Sequence, residues 1–265
     1  MSIASQNKTN GKFQDFFRSI QGVAACVSGR IEVLGNYTAY NEGLVLSTAT
    51  DKDSYFSANL VDEEIAKDNL ILCDFREFSI IDKVKFSPDY LFVIVDSMVN
   101  QEFVESDYKL RRESCERAVE CIKKKYPRIK ALRDVSSVML KDVKNLLDLT
   151  DYKRASHIVS ENDLALKCMQ ALKDGDIERF GSYLYLSNES SRNYFENSCH
   201  ELDYLVELSK SIPGCVGARL SGLGFGGISI HVVKKEEADR YSARIATAFK
   251  LLTNTEPQII VCGGG

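Results

Sequence analysis

No stretch of this 265-residue chain approaches the roughly 18 consecutive apolar residues that span a bilayer. The opening residues, Met1 to Asn10, are polar and lack the apolar centre of a secretory leader, so the chain reads as cytoplasmic. A basic excess is missing too. The net charge is -4, which leaves no electrostatic footprint for nucleic acid. Histidine is scarce, with only His157, His200 and His231, and the eight cysteines contain no C-x-x-C pair. Such scattered residues argue against a zinc site and predict reduced, mostly buried thiols that pack as small hydrophobes. Internal repeats and low-complexity tracts are likewise absent. The final Gly-Gly-Gly reads as a frayed tail.

What remains is ordinary globular material, 44% apolar and 27% charged, long enough for one large domain or two modest ones. Phe13, Phe16, Phe17 and Ile20 share a helical face, which predicts a short amphipathic helix over Phe13–Ile20. Strands are expected at about Val23–Val33, Leu44–Thr50 and Leu70–Phe75, with a polar, irregular stretch from Asp51 to Asp68. The continuous apolar run Tyr90–Val95 predicts a strand buried on both faces. Helical spacing of Leu110, Ala118 and Ile122 predicts a helix over Glu105–Lys125, ending before Pro127. Ser136 is suited to cap the next helix, and further helices follow at about Ala155–Leu172, Ile177–Ser190 and Cys199–Ser211. Strands near Val216–Leu220, Ile228–Val233 and Gln258–Cys262 then flank a helix over Glu236–Leu252, a closing β-α-β unit. Strands first, then helices, then a mixed unit predict an α+β protein in two lobes.

The most informative segment is Ser28 to Gly43, where an alternating run ends at Gly35 and a polar turn precedes a second strand. It resembles the signature of the galactokinases of the GHMP kinase superfamily, roughly G-R-x-x-x-x-G-E-H-T-D-Y-N-x-G. Arg30, Gly35, Thr38, Tyr40, Asn41 and Gly43 match, while Asn36, Tyr37 and Ala39 stand where that family has Glu, His and Asp. Further segments are similar in order: Asn69–Arg76, Glu105–Cys115, Leu132–Val135, Ser156–Glu161, Ser198–Asp203 and Ala218–Gly227, the last close to A-R-M-T-G-G-G-F-G-G. The resemblance implies a GHMP-kinase-like two-lobed fold, internally shortened. It sets a shortened N-terminal part at 1–68 against the rest of the fold, including the C-terminal kinase-type domain, at 69–265.

By that resemblance the chain is a galactokinase-like protein. It would phosphorylate a hexose, galactose by default, at the anomeric hydroxyl with ATP and Mg2+. The sugar would be the small-molecule partner. Arg30 falls on the position implied to stabilise the transferring phosphate, and Tyr108 on the segment whose Tyr contacts the sugar. Asn36 and Tyr37 take substrate-binding positions. Gly222, Gly224, Gly226 and Gly227 form the glycine-rich turn on the nucleotide side, which reads equally as a strand connection needing positive φ. Yet no Gly-Ser-rich phosphate loop, of the kind that cradles anions at a helix N-terminus, lies between Gly43 and Asn69. Asp53 is the remaining candidate base there. That gap places a non-catalytic sugar-binding or regulatory relative, or a degenerate kinase, beside the enzyme reading. A sheet edge left by a missing segment would also make dimerisation possible.

Overall fold

In the computed structural model, residues 23–58, 69–99 and 104–263 are described. The expected helix at Phe13–Ile20 lies outside them. Two antiparallel four-stranded sheets organise the chain. The first is a meander of β1 (Val23–Leu34), β2 (Leu44–Ala58), β3 (Asn69–Asp74) and β4 (Ser79–Lys85), in that spatial order. The second contains β5 (Tyr90–Asp96), β6 (Cys215–Leu220), β7 (Ile228–Lys234) and β8 (Gln258–Cys262) in the order β6-β7-β5-β8. Between β5 and β6 run α1 (Val104–Lys123), α2 (Ser137–Asp142), α3 (Leu149–Lys173), α4 (Ile177–Ser190) and α5 (His200–Ser211). Helix α6 (Ala238–Thr253) connects β7 to β8. Strand β5 lies between β7 and β8 and is antiparallel to both, so the closing β-α-β unit is a split one. The α+β expectation therefore holds.

Strand β5 shows why a continuous apolar run was needed. Phe92 and Ile94 enter the core shared with the first sheet, α3 and α4, whereas Val93 and Val95 pack with Leu205, Tyr241, Ile245 and Phe249 on the opposite face. A third cluster joins α1, α2 and α3 around Ala118, Ile122, Leu140, Ile158 and Phe195. Local chemistry sets the helix ends. The Ser136 hydroxyl accepts from Met139 N at 3.2 Å, as its sequence position predicted. Asp148 caps α3 and Asp176 caps α4 in the same way, with Gly175 at positive φ in the turn between them.

Two expectations need correction. Residues 51–58 are not irregular: they continue β2, pairing with β1 from Val23↔Ala58 to Ser28↔Asp53. The run Asp51-Lys-Asp-Ser-Tyr-Phe-Ser-Ala58 has too few apolar residues to show alternation, and its strand character comes from pairing across the hairpin. Strand β4 was also missed, because its residues are mostly exposed at a sheet edge and carry no burial pattern. The β2–β3 pairing, Leu44↔Asp74 through Thr48↔Leu70, puts residues on both sides of position 68 into one sheet.

Two histidines are fully buried. The His157 Nδ1 lies 2.9 Å from Ser190 Oγ, and its ring packs on Phe195 at 4.5 Å between centres. His231 lies between Ser229 Oγ and Tyr241 OH, each at 2.8 Å. Burial pushes His157 down to about 4 and His231 to about 3, from an ordinary value of 6.5. Both are therefore neutral in the fold, while the unfolded chain takes up protons below pH 6.5. Stability falls as pH drops from about 6.5 toward 4. Denaturant unfolding at pH 7, 6 and 5 should show this loss, and a His157→Gln/His231→Gln double variant should flatten its pH dependence.

Candidate functional site

The signature hairpin is built by the residues that match the resemblance. Gly35 has φ +94°, and a Cβ there would lie 2.2 Å from the Leu44 carbonyl oxygen, so no other residue fits without moving the strand. The Thr38 hydroxyl, fully buried, is shared between the carbonyls of Gly35 at 2.8 Å and Leu44 at 2.7 Å. Asn41 Nδ2 donates to the Tyr37 carbonyl at 3.3 Å. Beneath the turn, α3 grips both strands. Glu161 Oε2 accepts from the backbone N–H groups of Gly35 at 3.1 Å and Asn36 at 2.9 Å, and Asn162 Oδ1 accepts from Leu44 N at 2.9 Å.

Ion pairs brace the hairpin's far side. Arg76 donates to Glu42 Oε2 at 2.6 Å and Asp134 Oδ1 at 2.8 Å, while Arg133 reaches Asp74 Oδ2 at 2.8 Å and the Glu42 carbonyl at 3.1 Å. Burial by itself would raise the Asp134 carboxyl. The Arg76 hydrogen bond and the amides of Lys130 and Ala131 outweigh it and hold the group at about 2. Residues from three of the similar segments, around Glu42, Arg76 and Arg133, thus meet in one structural clamp.

Two of the three positions that depart from the signature, Asn36 and Tyr37, face the glycine-rich turn. Asn36 is only 1% exposed; its Nδ2 donates to Glu32 Oε1 at 2.9 Å and to the Gly222 carbonyl at 2.6 Å, and its Oδ1 accepts from Asn197 Nδ2 at 2.9 Å. Both amide protons are committed within the protein. The Tyr37 hydroxyl donates to the Leu223 carbonyl at 2.8 Å, and burial raises its pKa. Its ring lies against Phe195 at 4.6 Å, Tyr108 at 5.6 Å and Tyr40 at 6.2 Å. Tyr108 is half-buried beside Tyr37 and Tyr40, and its hydroxyl meets no hydrogen-bond partner among the described residues. Ala39 lies half-buried in the short 3-10 turn Ala39–Asn41.

The turn itself runs through positive φ at Gly222, Gly224, Phe225, Gly226 and Gly227. Gly224 packs so tightly that a Cβ would lie 2.0 Å from the Asn197 carbonyl oxygen, which also accepts from Phe225 N at 2.7 Å. The Arg111 guanidinium stacks over the Phe225 ring at 4.5 Å and donates to the carbonyls of Phe195 at 3.2 Å and Glu196 at 2.5 Å. Burial, then the neighbouring Arg154, lowers the Arg111 pKa.

The fold therefore brings Asn36, Tyr37, Tyr108 and the Gly222–Gly227 turn to one corner. Asp53 stands opposite Ser28 in β2, and Arg30 opposite Ala49, two register positions along β1. The side chains of both lie outside the described residues. Three members of the corner escaped the sequence reading. Asn197 and Arg111 flank or sit inside similar segments, but nothing in their spacing signals a bond to a distant turn. Glu32 reads simply as the polar half of an alternating strand.

A family model described as GHMP kinases C terminal matches residues 168–251, and one described as galactokinase galactose-binding signature matches residues 11–60. Among curated proteins, the galactokinase of Roseiflexus sp. (strain RS-1) is 31% identical over 250 residues, covering 92% of this chain and 64% of its own. That of Thermosipho africanus (strain TCF52B) is 43% identical over 147 residues, covering 56% and 39%. The chain thus spans just under two thirds of the first of these relatives and less of the second. Lactococcus lactis galactokinase, solved in complex with galactose, superposes with a TM-score of 0.80 at 17% identity, covering 99% of this chain and 98% of that one. L. major mevalonate kinase, solved with R-mevalonate, gives 0.58 at 12% identity, covering 91% and 96%. At such identities the structural likeness speaks for the fold.

Two alanine substitutions separate packing from backbone strain in the turn. Gly222 has positive φ, and a Cβ there would meet only open space, so Gly222→Ala should lose about 1 kcal/mol. Gly224→Ala meets the same strain plus the Asn197 backbone, and should lose about 3 kcal/mol or more. Urea unfolding of the two variants measures the difference.

Proposed function

We propose that this chain is a galactokinase-like relative of the GHMP kinases that binds a hexose, with galactose as the default sugar. The observation that carries the proposal is the convergence of the hairpin positions Asn36 and Tyr37 with Tyr108 beside the Gly222–Gly227 turn. Tyr108 is the member of this group best placed to hold sugar. It is half-buried against aromatic faces that suit the C–H surface of a pyranose, and its hydroxyl is available to a polyol. Asn36 and Tyr37 then shape the floor of the site, their polar atoms already turned onto the protein.

Following its relatives' names, the fuller proposal is transfer of the ATP γ-phosphoryl group to the anomeric hydroxyl, with Arg30 stabilising charge and Asp53 as base. Such transfer relies on positioning and charge stabilisation. Among the described residues, no group of three or more His, Cys, Asp and Glu side chains stands together to hold a metal ion. Gly222 faces open space, but Gly224 and Gly226 back onto Asn197 and Val99. The absence of a Gly-Ser-rich loop between Gly43 and Asn69 favours a second reading in which the protein binds sugar without turning it over.

Thermal denaturation with galactose, other hexoses and ATP-Mg, followed by a coupled ADP-release assay, distinguishes these outcomes. Saturating galactose should raise the melting temperature by a few degrees, and Tyr108→Phe should weaken galactose binding about tenfold. ADP release that depends on galactose supports the transfer reading. Stabilisation without ADP release supports the sensor, and no stabilisation by any hexose overturns the proposal.

A further inference from the structure

Helix α1 brings two residues to the corner from one face. Tyr108 is followed one turn later by Arg111, and residues three apart are neighbours on a helix surface. Arg111 is buried, and each of its nitrogens is bonded within the protein. Nε donates to the Phe195 carbonyl at 3.2 Å and Nη2 to the Glu196 carbonyl at 2.5 Å. Nη1 donates to the Asp107 carbonyl at 3.2 Å and to Asp107 Oδ1 at 3.1 Å. What these bonds leave over is the flat face of the guanidinium, which covers the Phe225 ring at 4.5 Å. A lysine ammonium has the charge but no such face.

Phe225 needs that cover. Its φ of +60° is open to glycine but strained for a bulky residue, and it is the one positive-φ position of the turn that carries a side chain. Such strain persists only where the surroundings over-determine it. Here the Phe225 N–H donates to the Asn197 carbonyl at 2.7 Å, and Arg111 holds the ring. Residues 194–196 have a second support, because Arg154 donates to the Tyr194 carbonyl and to Glu196 Oε2 and lies 5.8 Å from the Phe195 ring centre. The turn that Phe225 belongs to supplies the Gly222 and Leu223 carbonyls, which take the Asn36 amide and the Tyr37 hydroxyl. Arg111 is close to that floor as well: burial raises the Tyr37 hydroxyl, and the next influence is the Arg111 charge, which lowers it.

We infer that Arg111 is a positioning residue of the hexose site, acting through its stack on Phe225. The stack latches the glycine-rich turn, and with it the floor made by Asn36 and Tyr37, to the helix that carries Tyr108. This rests on the hexose-binding reading given above. Neither Arg111 nor Phe225 touches the sugar; together they fix the spacing between the two sides that do.

Calorimetric titration of the full chain with galactose, paired with amide hydrogen exchange in the absence of sugar, tests the latch in Arg111→Lys, Phe225→Leu and the double variant. Each single variant should bind galactose about tenfold more weakly, and the double variant no more weakly than that, because all three break one stack. Native affinity in either single variant overturns the assignment, as do losses that multiply to about a hundredfold in the double variant. Without sugar, exchange in Arg111→Lys should quicken at the Phe225 amide and stay native at the Gly35 and Asn36 amides, which Glu161 holds separately. Native exchange at Phe225 overturns the latch. Quickening at all three amides indicates a generally loosened fold and overturns the positioning role, whatever the affinity. Phe225→Gly gives a further separation: glycine accepts the backbone angle, so this variant should keep its melting temperature within a few degrees yet bind galactose as weakly as Phe225→Leu. Failure of the native chain to bind any hexose overturns the underlying reading and the positioning role with it, while the exchange pattern still decides whether Arg111 holds the turn.

Discussion

The grip of Glu161 and Asn162 on the hairpin neck is the interaction on which the rest of the structure depends. A polar turn carries backbone N–H groups that water would satisfy at the surface and that burial leaves wanting. Here one carboxyl oxygen serves Gly35 and Asn36 together, while the next residue of the same helix serves Leu44 on the returning strand. With these donors satisfied, the turn can sit under the protein's other elements. Only then does Asn36 reach Gly222, and Tyr37 reach Leu223, across the gap between the two sheets. Helix α3 is thus both a core helix, through Leu164, Ala165, Cys168 and Met169, and the anchor of the site.

That arrangement explains why the signature is preserved at some positions and altered at others. Gly35, Thr38, Asn41 and Gly43 make the turn, with contacts that lie within it or against its immediate support. Asn36 and Tyr37 look across to the glycine-rich turn, where a change of side chain alters the partner rather than the hairpin's shape. The substitutions therefore fall where the fold tolerates them. Their polar atoms have been redirected into bonds between distant segments, and Arg111 supports the same turn from outside through Phe225 and the carbonyls of residues 195 and 196.

How much of this was legible depended on whether a residue's role was local. The helix Ile177–Ser190, the strand Gln258–Cys262 and the Ser136 cap were readable because periodicity and capping act within a few residues. The buried run Tyr90–Val95 announced its two covered faces by composition alone. Strand β4 was not readable, since an edge strand with exposed Ile80 and Ile81 has no alternation to show. At the corner, Tyr108, Asn36 and the glycine-rich turn had been singled out through similar segments, and the fold brings them together. Glu32, Asn197 and the carboxyl role of Glu161 were not, because their meaning lies in partners 126 to 189 residues away in the chain.

Those long spans also bear on how the molecule assembles. The bonds from Asn36 and Tyr37 to the glycine-rich turn each close 186 residues of chain, and the bond from Glu161 to Gly35 closes 126. Closing such loops costs entropy before any contact rewards it, so the helices and the β1–β2 and β6–β7 hairpins form on shorter spans first. The corner is then a late event in folding, completed when both ends of the chain have found their sheets. Its hydrogen bonds act as a seal on an already assembled protein: in a nascent chain that ends before residue 222, Glu161 and the Phe195 ring can already hold the hairpin, but the Asn36 amide and the Tyr37 hydroxyl lack the carbonyls that they meet in the finished one.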